Sequence, residues 1–383
     1  MRYIINDMKK DAEVIIVGAG ISGLSAAKIL SDKGIKTILL ERKSKSVKKS
    51  FSSGLVYEKS FETVFGKLSQ IKNNKDFIGR ALSEERVYIL QEDSFSSINQ
   101  HNKTENGYLV SREFFNNFLR KEVEQSGAEI IYETVARELI TKDNSVVGVK
   151  TDEDEYFANV IIIAEGAASL LTKYSGLRKG NYIPDQTFLF IEEGISLTAK
   201  IIEERFNLQQ NEGVAIKLLT NSIFNMPSFG YLFTNKDFIS IGFGGLLSEL
   251  IKNETNINQC LEKLKIHPAV KPFLSNGTIN DYISYSIPLG VHHGMTLPKI
   301  YVNGCLLCGG AALLIDPFNP DLASSAVLSG KLAALTIIKA KELNDYSEKS
   351  LSYYEKLVKE QNNDTKIDSA ASNDISSLIL QGK

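Results

Sequence analysis

The sequence is short of the residues that build disulfide and metal sites. It has three cysteines and four histidines among 383 residues, and it has no tryptophan. Three cysteines are too few for a disulfide framework or for a four-cysteine iron–sulfur cluster. A reducing compartment suits such a chain, and we therefore expect it in the cytoplasm.

Long hydrophobic runs and an excess of charge of one sign are also missing. No stretch approaches about 18 uncharged apolar residues, so any membrane contact is expected to be peripheral. The 44 basic and 46 acidic side chains leave a formal charge of −2, which gives no overall reason to bind nucleic acid. With 43% hydrophobic residues, the composition indicates a folded protein with a sizeable core.

A glycine cluster near the N-terminus lies between two apolar runs. The segment AEVIIVGAGISGLSAAKILSDKGIKTILLERK predicts a strand, a turn, a helix and a second strand. Gly18 fits the tight turn, Gly20 the close approach of a pyrophosphate, and Gly23 the packing of the helix against the strand. Ala19 and Ser22 lie within the same turn and are predicted to contact the same ligand.

An acidic residue follows at the distance that a dinucleotide site requires. Glu41 ends the second predicted strand, 23 residues after Gly18. A carboxylate there accepts a hydrogen bond from a ribose hydroxyl and disfavours the 2′-phosphate of NADP. Arg42 begins a short basic run, which we interpret as a solvated loop or as a phosphate contact. The pattern predicts a dinucleotide site and leaves FAD and NAD open.

The segment GCLLCGGAALLIDP, near the other end of the chain, predicts a second strand and turn. Cys305 and Cys308 are three residues apart, so in a strand their side chains point to opposite faces and cannot form a redox pair. Asn319 and Pro320 are predicted to start the following helix. That helix carries a stripe of small residues, Ala323, Ala326, Gly330 and Ala334. We expect this element to return to the sheet of the first one.

The residues between these two elements predict further strands and helices. A helix from about residue 112 to Gly127 precedes a three-stranded meander and the apolar strand Val160 to Ile163. Aromatic residues cluster in a hairpin about Asn235, within a region of different character that indicates a second, sheet-based domain. Its Tyr231, Phe233 and Phe243 are interpreted as core in preference to a substrate wall, and Cys260, on a short helix, is interpreted as core.

The chain resembles a known superfamily. The resemblance rests on the two strand-turn-helix elements near its ends and on the AEGAAS segment and the hairpin region between them. The superfamily contains the FAD-dependent geranylgeranyl reductases and the electron-transfer-flavoprotein dehydrogenases. The nearest resemblance is to its FixC branch, and it covers most of residues 12–340. The stretches that carry it are VKKSFSSGLVY, IIEERFNLQQNEGVAI, GYLFTNKDFISIGF, KIHPAVKPFL and IPLGVHHGMTLPKIYVNGCLLCGGAALL.

The resemblance implies an α/β fold with two intertwined domains. One is a Rossmann-type FAD-binding domain, glutathione-reductase-like and of the p-hydroxybenzoate-hydroxylase type; the other is an inserted antiparallel β-sheet substrate domain. We expect the FAD-binding domain at residues 11–83, 106–182 and 296–342, the sheet domain at 84–105 and 183–295, and a C-terminal helix with a loose tail at 343–383. The loose part is expected at residues 361–376.

The resemblance also assigns residues to the cofactor. Arg112 and Val135 are expected along FAD, and Gly166 at the end of the central strand. The second turn, with Gly309, Gly310 and Pro317, is expected to face the ribityl chain and the flavin ring.

Two adjacent histidines are the only candidates for proton transfer. His292 and His293 lie where the chain returns from the sheet domain toward the cofactor. One of them can act on a substrate or on the reduced flavin, and the alternative is a structural or solvent-exposed pair.

The second turn departs from the superfamily pattern. The expected sequence is Gly-Asp-Ala-Ala-Gly, whereas this chain has Gly309-Gly310-Ala311-Ala312-Leu313. The carboxylate that binds a ribityl hydroxyl is therefore missing, and Leu313 is expected to crowd the flavin. Losing one charged hydrogen bond weakens FAD binding by roughly one to two decades. Restoring it with Gly310→Asp is expected to tighten FAD, unless the pocket has closed.

The resulting functional hypothesis is a FixC-like, FAD-dependent oxidoreductase. It passes electrons to or from an electron-transfer flavoprotein, a ferredoxin-like partner or a quinone-like acceptor. One alternative is a flavin-dependent reductase or dehydrogenase of a small or isoprenoid metabolite. Another is a flavin-free binding or scaffold subunit that has kept the fold, which the missing aspartate favours.

Overall fold

The computed structural model describes residues 10–46, 50–71, 79–102, 107–178, 183–289, 299–314 and 322–368. Its strands are β1 (Val14–Val17), β2 (Thr37–Leu40), β3 (Ser53–Tyr57), β4 (Gly79–Leu90), β5 (Phe95–His101), β6 (Gly107–Ser111), β7 (Glu129–Ile131), β8 (Glu138–Lys142), β9 (Ser145–Lys150), β10 (Glu155–Phe157), β11 (Val160–Ile163), β12 (Thr187–Ser196), β13 (Glu212–Thr220), β14 (Ser228–Thr234), β15 (Phe238–Leu246), β16 (Thr278–Pro288), β17 (Tyr301–Val302) and β18 (Cys305–Leu307). Its helices are α1 (Ile21–Asp32), α2 (Glu58–Phe65), α3 (Leu68–Ile71), α4 (Arg112–Gln125), α5 (Leu170–Tyr174), α6 (Ala199–Phe206), α7 (Leu247–Lys252), α8 (Ile257–Ile266), α9 (Lys271–Leu274), α10 (Leu322–Glu342), α11 (Glu348–Leu351) and α12 (Tyr353–Asp368).

A six-stranded sheet joins the two ends of the chain, in the order β17-β18-β11-β1-β2-β7. Strand β1 pairs in parallel with β11 and β2, which places Val17 beside Ile163 and Leu40. Every residue of β1 and β11 is buried, as expected for a parallel sheet that is covered on both faces. Because parallel strands share one direction, the turns after β1, β2, β11 and β18 meet at one edge of the sheet.

Helices α1 and α10 pack closely over this sheet. A Cβ atom at Gly330 would lie 2.2 Å from the carbonyl oxygen of Ser22, so only glycine allows the two helices to approach this far. The predicted stripe of small residues therefore serves helix packing. Helix α10 is also long and apolar enough to cross a membrane by length and composition. It contributes Ala333, Ala334 and Ile337 to the buried core.

A nine-stranded sheet forms the second layer, in the order β16-β12-β15-β14-β13-β4-β6-β3, with β5 beside β4. The hairpin β14–β15 turns at residues 235–237, as the sequence predicts. One face carries a cluster of aromatic side chains that includes Phe190 and Tyr231. The other face packs against helices α6 and α8, where Cys260 is buried in the predicted core position.

The predicted domain boundaries are wrong for two strands. Residues 53–57 and 107–111 were expected in the FAD-binding domain, but β3 and β6 pair with each other, and β6 also pairs with β4 in the nine-stranded sheet. The residue pattern of a short apolar strand is the same in either sheet. The pattern therefore cannot show with which strand it pairs.

Several other predicted elements are confirmed. The meander β8–β10 turns where the sequence indicates, and β11 spans Val160–Ile163. Helix α4 buries Phe115, Phe118 and Leu119 on one face. The predicted loose stretch is wrong at its start, because α12 continues to Asp368. The predicted start of the following helix at residues 319–320 lies outside the described residues.

Candidate functional site

Two glycines of the first turn are required by the fold itself. Gly18 has a φ of +105°, and a Cβ atom there would lie 2.5 Å from the carbonyl oxygen of Ala164 on the neighbouring strand. At Gly23 a Cβ atom would lie 2.1 Å from the carbonyl oxygen of Gly18. Any larger residue at either position would separate α1 from the sheet.

Gly20 differs, because nothing in the protein requires it. Its φ of −81° and ψ of 176° suit any residue, and a Cβ atom there would have no neighbour within 4 Å. Gly20 lies at the N-terminus of α1 and faces an open cavity. A glycine that neither packing nor backbone conformation demands indicates that space is kept for a ligand close to the backbone.

Glu41 lies beside this turn, as the sequence predicts. Its carboxylate is buried, and Oε2 accepts a hydrogen bond from the N–H of Ala19 at 2.8 Å. Oε1 accepts from the N–H of Lys43 at 2.8 Å. Each carboxylate oxygen can accept a further hydrogen bond. Glu41 is thus fixed in orientation and still able to accept from a ribose hydroxyl.

Most of the residues predicted for the cofactor line one cavity, which we call the nucleotide cavity. Its volume is about 370 Å³. The predicted residues that line it are Gly18, Ala19, Gly20, Glu41, Arg42, Val135 and Gly166. Two exposed apolar side chains, Leu170 and Tyr174, lie at its rim. Ser22 is buried against Gly309, between the first turn and the second.

The second turn leaves little room for the aspartate that the resemblance predicts. Gly309 to Ala312 form a short 3-10 helix, and the N–H of Gly309 donates to Ser329 Oγ at 2.8 Å. A Cβ atom at Gly310 would lie 2.8 Å from the backbone nitrogen of Ala167. An aspartate therefore does not fit unless the loop after β11 moves. The added atoms of Gly310→Asp would meet the main chain, which argues against the expected tightening of FAD.

Leu313, at the position where the resemblance predicts a glycine, adopts a left-handed backbone conformation. Its φ is +59° and its ψ is 26°, in the left-handed region that glycine favours. Its side chain is buried and lines neither cavity described here. The expectation that Leu313 crowds the flavin stays a prediction.

Cys305 and Cys308 are separate, buried thiols. Cys305 lies in β18, and Cys308 follows it in extended conformation, so their side chains diverge as predicted. All three cysteines of the chain are free. Burial raises the pKa of Cys308 to about 11, and Ser329 Oγ lies 3.3 Å from its sulfur. Burial also raises the pKa of Cys305. Both thiols are therefore protonated near neutral pH, which argues against a nucleophile at either position.

A second cavity, of about 150 Å³, lies between the two sheets; we call it the aromatic cavity. Ile21 and Ala323 line it from the side of the six-stranded sheet. The nine-stranded sheet contributes Phe190, Phe229, Tyr231, Phe233 and Tyr285. Tyr231 and Phe233, expected in the core, are thus both buried and part of a cavity wall. Phe243 packs in the core against Phe224, as expected.

Arg112 lies at the aromatic cavity and not at the nucleotide cavity. It begins α4, and its Nη2 donates to the carbonyl oxygen of Ser53 at 2.9 Å. Glu192 Oε2 is 3.7 Å from Nη2, and the guanidinium lies over the ring of Tyr285 at 5.8 Å. Burial opposes the charge of Arg112, but Glu192 and the two tyrosines, Tyr285 and Tyr231, outweigh it and raise its pKa. The group stays cationic at every accessible pH.

Glu192 was not identified from the sequence. It is 1% exposed at the centre of β12, where it accepts from Ser53 N–H at 2.9 Å and from Ser52 Oγ at 3.0 Å. Burial, and then Glu192, raise the pKa of Tyr231. The only signal in the sequence is a pair of adjacent acidic residues in FIEEG. Because successive side chains of a strand point to opposite faces of the sheet, one of the two had to face inward.

The other predicted site residues lie outside the described residues. These are Pro317 of the second turn and the pair His292 and His293. Their roles stay predictions.

Comparison with known proteins agrees with this geometry. Residues 11–183 match the FAD binding domain family. The chain is 31% identical to protein FixC of Azorhizobium caulinodans over 92% of its length and 81% of that protein. It is 29% identical to the probable electron transfer flavoprotein-quinone oxidoreductase YdiS of Escherichia coli, over 92% of its length and 82% of that protein.

Solved structures show the same fold at low identity. A geranylgeranyl bacteriochlorophyll reductase-like protein from Thermoplasma acidophilum superposes with a TM-score of 0.74 at 21% identity, covering 91% of this chain and 83% of its own. The halogenase PltM, in complex with phloroglucinol and FAD, superposes with a TM-score of 0.67 at 16% identity, covering 89% and 72%. The fold is thus of the p-hydroxybenzoate-hydroxylase type, as predicted.

The residues around the nucleotide cavity fit the adenosine diphosphate half of FAD. Gly20 leaves room for a phosphate at the N-terminus of α1, and Glu41 presents acceptors for a ribose. The match to an FAD-binding family favours the flavin-dependent hypothesis over the flavin-free one. The chain belongs to the FixC family and is an FAD-dependent oxidoreductase.

Proposed function

We propose that this protein receives electrons from a partner redox protein and passes them, through FAD, to a quinone-like acceptor in the aromatic cavity. The name of the relative YdiS, an electron transfer flavoprotein-quinone oxidoreductase, supports such a pair of partners. Bound FAD supplies a ring that accepts and releases electrons singly or in pairs.

The observation that carries the proposal is the aromatic wall of the second cavity. Phe190 stacks on Tyr285 with ring centroids 5.7 Å apart and planes 8° apart, and it stacks on Tyr231 at 5.7 Å and 29°. These aligned rings give the cavity an apolar aromatic wall, which can pack against a planar ring such as a quinone. Arg112 at its edge supplies cationic N–H donors, which can orient the carbonyl oxygen of an acceptor.

The residues of the cavity also control water and protons. The aromatic rings exclude water from the reacting centre, which protects reduced flavin from side reactions. The hydroxyl oxygens of Tyr231 and Tyr285 lie 3.5 Å apart, and burial raises both pKa values. Both tyrosines therefore remain protonated and can donate a hydrogen bond to a bound acceptor. His292 and His293 remain the proposed proton donors for substrate or flavin.

The proposed electron donor is an electron-transfer flavoprotein or a small ferredoxin-like protein. With three cysteines the chain cannot hold a four-cysteine cluster, so any iron–sulfur centre must belong to a partner. We propose that both act in the cytoplasm, where buried free thiols such as Cys305 remain reduced.

Two matched variants test the acceptor site. Phe229→Leu removes an aromatic ring from the cavity wall, whereas Phe243→Leu makes the same change in the core on the other face of the sheet. The flavin is reduced anaerobically and mixed with a short-chain ubiquinone, and reoxidation is followed in the visible flavin band. We expect Phe229→Leu to raise the quinone KM by about 5- to 10-fold, for the loss of ring stacking. Flavin content is expected to stay unchanged, and Phe243→Leu to leave KM unchanged.

Two results would contradict the proposal. Equal effects of the two substitutions would show that the cavity does not bind the quinone. Reoxidation by an isoprenoid double bond but not by the quinone would favour the reductase alternative.

A further inference from the structure

Helix α4 places two polar atoms without partners against the nucleotide cavity. Arg120 and Asn116 are one turn apart, and both line the cavity. Arg120 is 3% exposed, and within the described residues its Nε has no hydrogen-bond partner. The buried Oδ1 of Asn116 has none among those residues either. A buried polar atom without a partner is costly, and this pair lies where a ligand binds.

A second buried arginine, Arg80, differs from Arg120 in its hydrogen-bond partners. Arg80 is 1% exposed, and its Nε donates to the carbonyl oxygen of Asn235 at 2.6 Å. Its Nη1 donates to Glu203 at 2.9 Å, and its Nη2 to the carbonyl oxygen of Lys236 at 3.2 Å. Every guanidinium nitrogen of Arg80 is therefore satisfied by the protein, in contrast to Arg120.

The charges around Arg120 favour an anionic ligand. Glu113 is 3.4 Å from Arg120 Nη1, and it also accepts from Lys43 Nζ at 3.0 Å. Two cations thus share this one carboxylate, which leaves Arg120 incompletely neutralised. Arg137 lines the same cavity, but its Nε and Nη2 are both bound to Asp152 at 2.8 Å. Arg120 is therefore the arginine of this cavity with a buried donor left for a ligand.

We propose that Arg120 and Asn116 bind the adenosine diphosphate half of FAD, with Arg120 as the cation for the diphosphate. Asn116 supplies a neutral hydrogen bond to the same half of the cofactor. This assignment rests on FAD binding and not on the proposed quinone acceptor. It also gives this chain a charged contact with the cofactor that does not depend on the absent aspartate at position 310.

The test uses ADP as the probe, because ADP lacks the flavin and reports on this half alone. The full chain, freed of flavin, is titrated calorimetrically with ADP and then with FAD. We expect Arg120→Met to raise both dissociation constants by about 10- to 100-fold, as for a lost charge-assisted hydrogen bond. Arg120→Lys is expected to recover part of the affinity, and Arg137→Met to change it by less than about threefold.

Thermal unfolding of the flavin-free proteins separates binding from a structural role. Because Arg120 is incompletely paired without a ligand, Arg120→Met is expected to unfold at the parent temperature or above it. Arg80→Met is expected to unfold far below it. ADP affinity that stays within about threefold in a folded Arg120→Met protein would overturn the proposal. If Arg120→Met does not fold, Asn116→Leu decides, with about a 3- to 10-fold weaker ADP supporting the proposal and unchanged ADP overturning it.

Discussion

The two turns that meet at the edge of the six-stranded sheet differ in how far each one matches its expected glycine motif. The first turn keeps each glycine of its motif, and the structure assigns Gly18 and Gly23 to the fold and Gly20 to the ligand. The second turn has Gly310 where the resemblance predicts an aspartate, and Leu313, where it predicts a glycine, adopts a left-handed backbone conformation. The first turn thus keeps open space beside Gly20, whereas backbone atoms occupy the space beside Gly310 in the second.

The largest effects are expected in the first turn, where substitution of one glycine should lower FAD affinity and substitution of another should lower the free energy of unfolding. We expect Gly20→Val to weaken FAD by about two decades or more, because its side chain fills the space left for the pyrophosphate. The free energy of unfolding should change by less than about 1 kcal/mol. Gly23→Val should instead unfold the protein, because its Cβ atom meets the carbonyl oxygen of Gly18. FAD titration and urea unfolding measure the two effects, and similar results for the two variants would remove the distinction.

Restoring the aspartate of the second turn should fail. Gly310→Asp places a Cβ atom 2.8 Å from Ala167 N, so we expect destabilisation by about 1–3 kcal/mol, as for an overpacked core, and no gain in FAD affinity. Urea midpoints and FAD titrations of both proteins check this. An aspartate variant that binds FAD tenfold more tightly would mean that the loop after β11 moves aside easily.

The left-handed conformation of Leu313 can be tested by substitution. At a left-handed position alanine is strained and glycine is not, so Leu313→Gly should be more stable than Leu313→Ala by about 1 kcal/mol. In an ordinary helical or extended position the order is reversed. Both variants lose the buried leucine side chain, so their difference isolates the backbone term. Equal urea midpoints would indicate that residue 313 does not hold a positive φ in solution.

The smallest effect is expected at the cysteine before this turn. Cys308→Ser should leave electron transfer unchanged and cost less than about 1 kcal/mol near neutral pH, because Ser329 and Tyr354 can bond to the new hydroxyl. Burial raises the pKa of Cys308 to about 11, above that of an unfolded chain. Its stabilising contribution is therefore complete below about pH 8.5 and is lost as pH rises toward 11.

Measuring stability against pH for the parent and Cys308→Ser checks that sign. The variant should lose less stability than the parent between about pH 8.5 and 11. Rapid alkylation of Cys308 in the folded protein at neutral pH would contradict a buried, protonated thiol.

The sequence was sufficient for features that depend on neighbouring residues. The first turn with Glu41, the hairpin at residues 235–237 and the divergence of Cys305 and Cys308 all follow from local spacing. Features that depend on distant contacts could not be predicted. The obstacle to an aspartate at Gly310 is the backbone of Ala167, which is far away in the sequence. The sheet that contains β3 and the lack of a partner for Arg120 Nε also depend on distant residues, so the neighbouring sequence does not indicate them.

The content of flavin in the purified protein tests the central claim most directly. The full chain and its Gly20→Val variant are purified in parallel, denatured by heat, and analysed for released FAD by chromatography and visible absorbance. We expect close to one FAD per parent chain, or saturation to that ratio on adding FAD, and almost none in the variant. A parent chain that takes up no FAD, or a folded variant that retains the parent content, would contradict an FAD site at this turn.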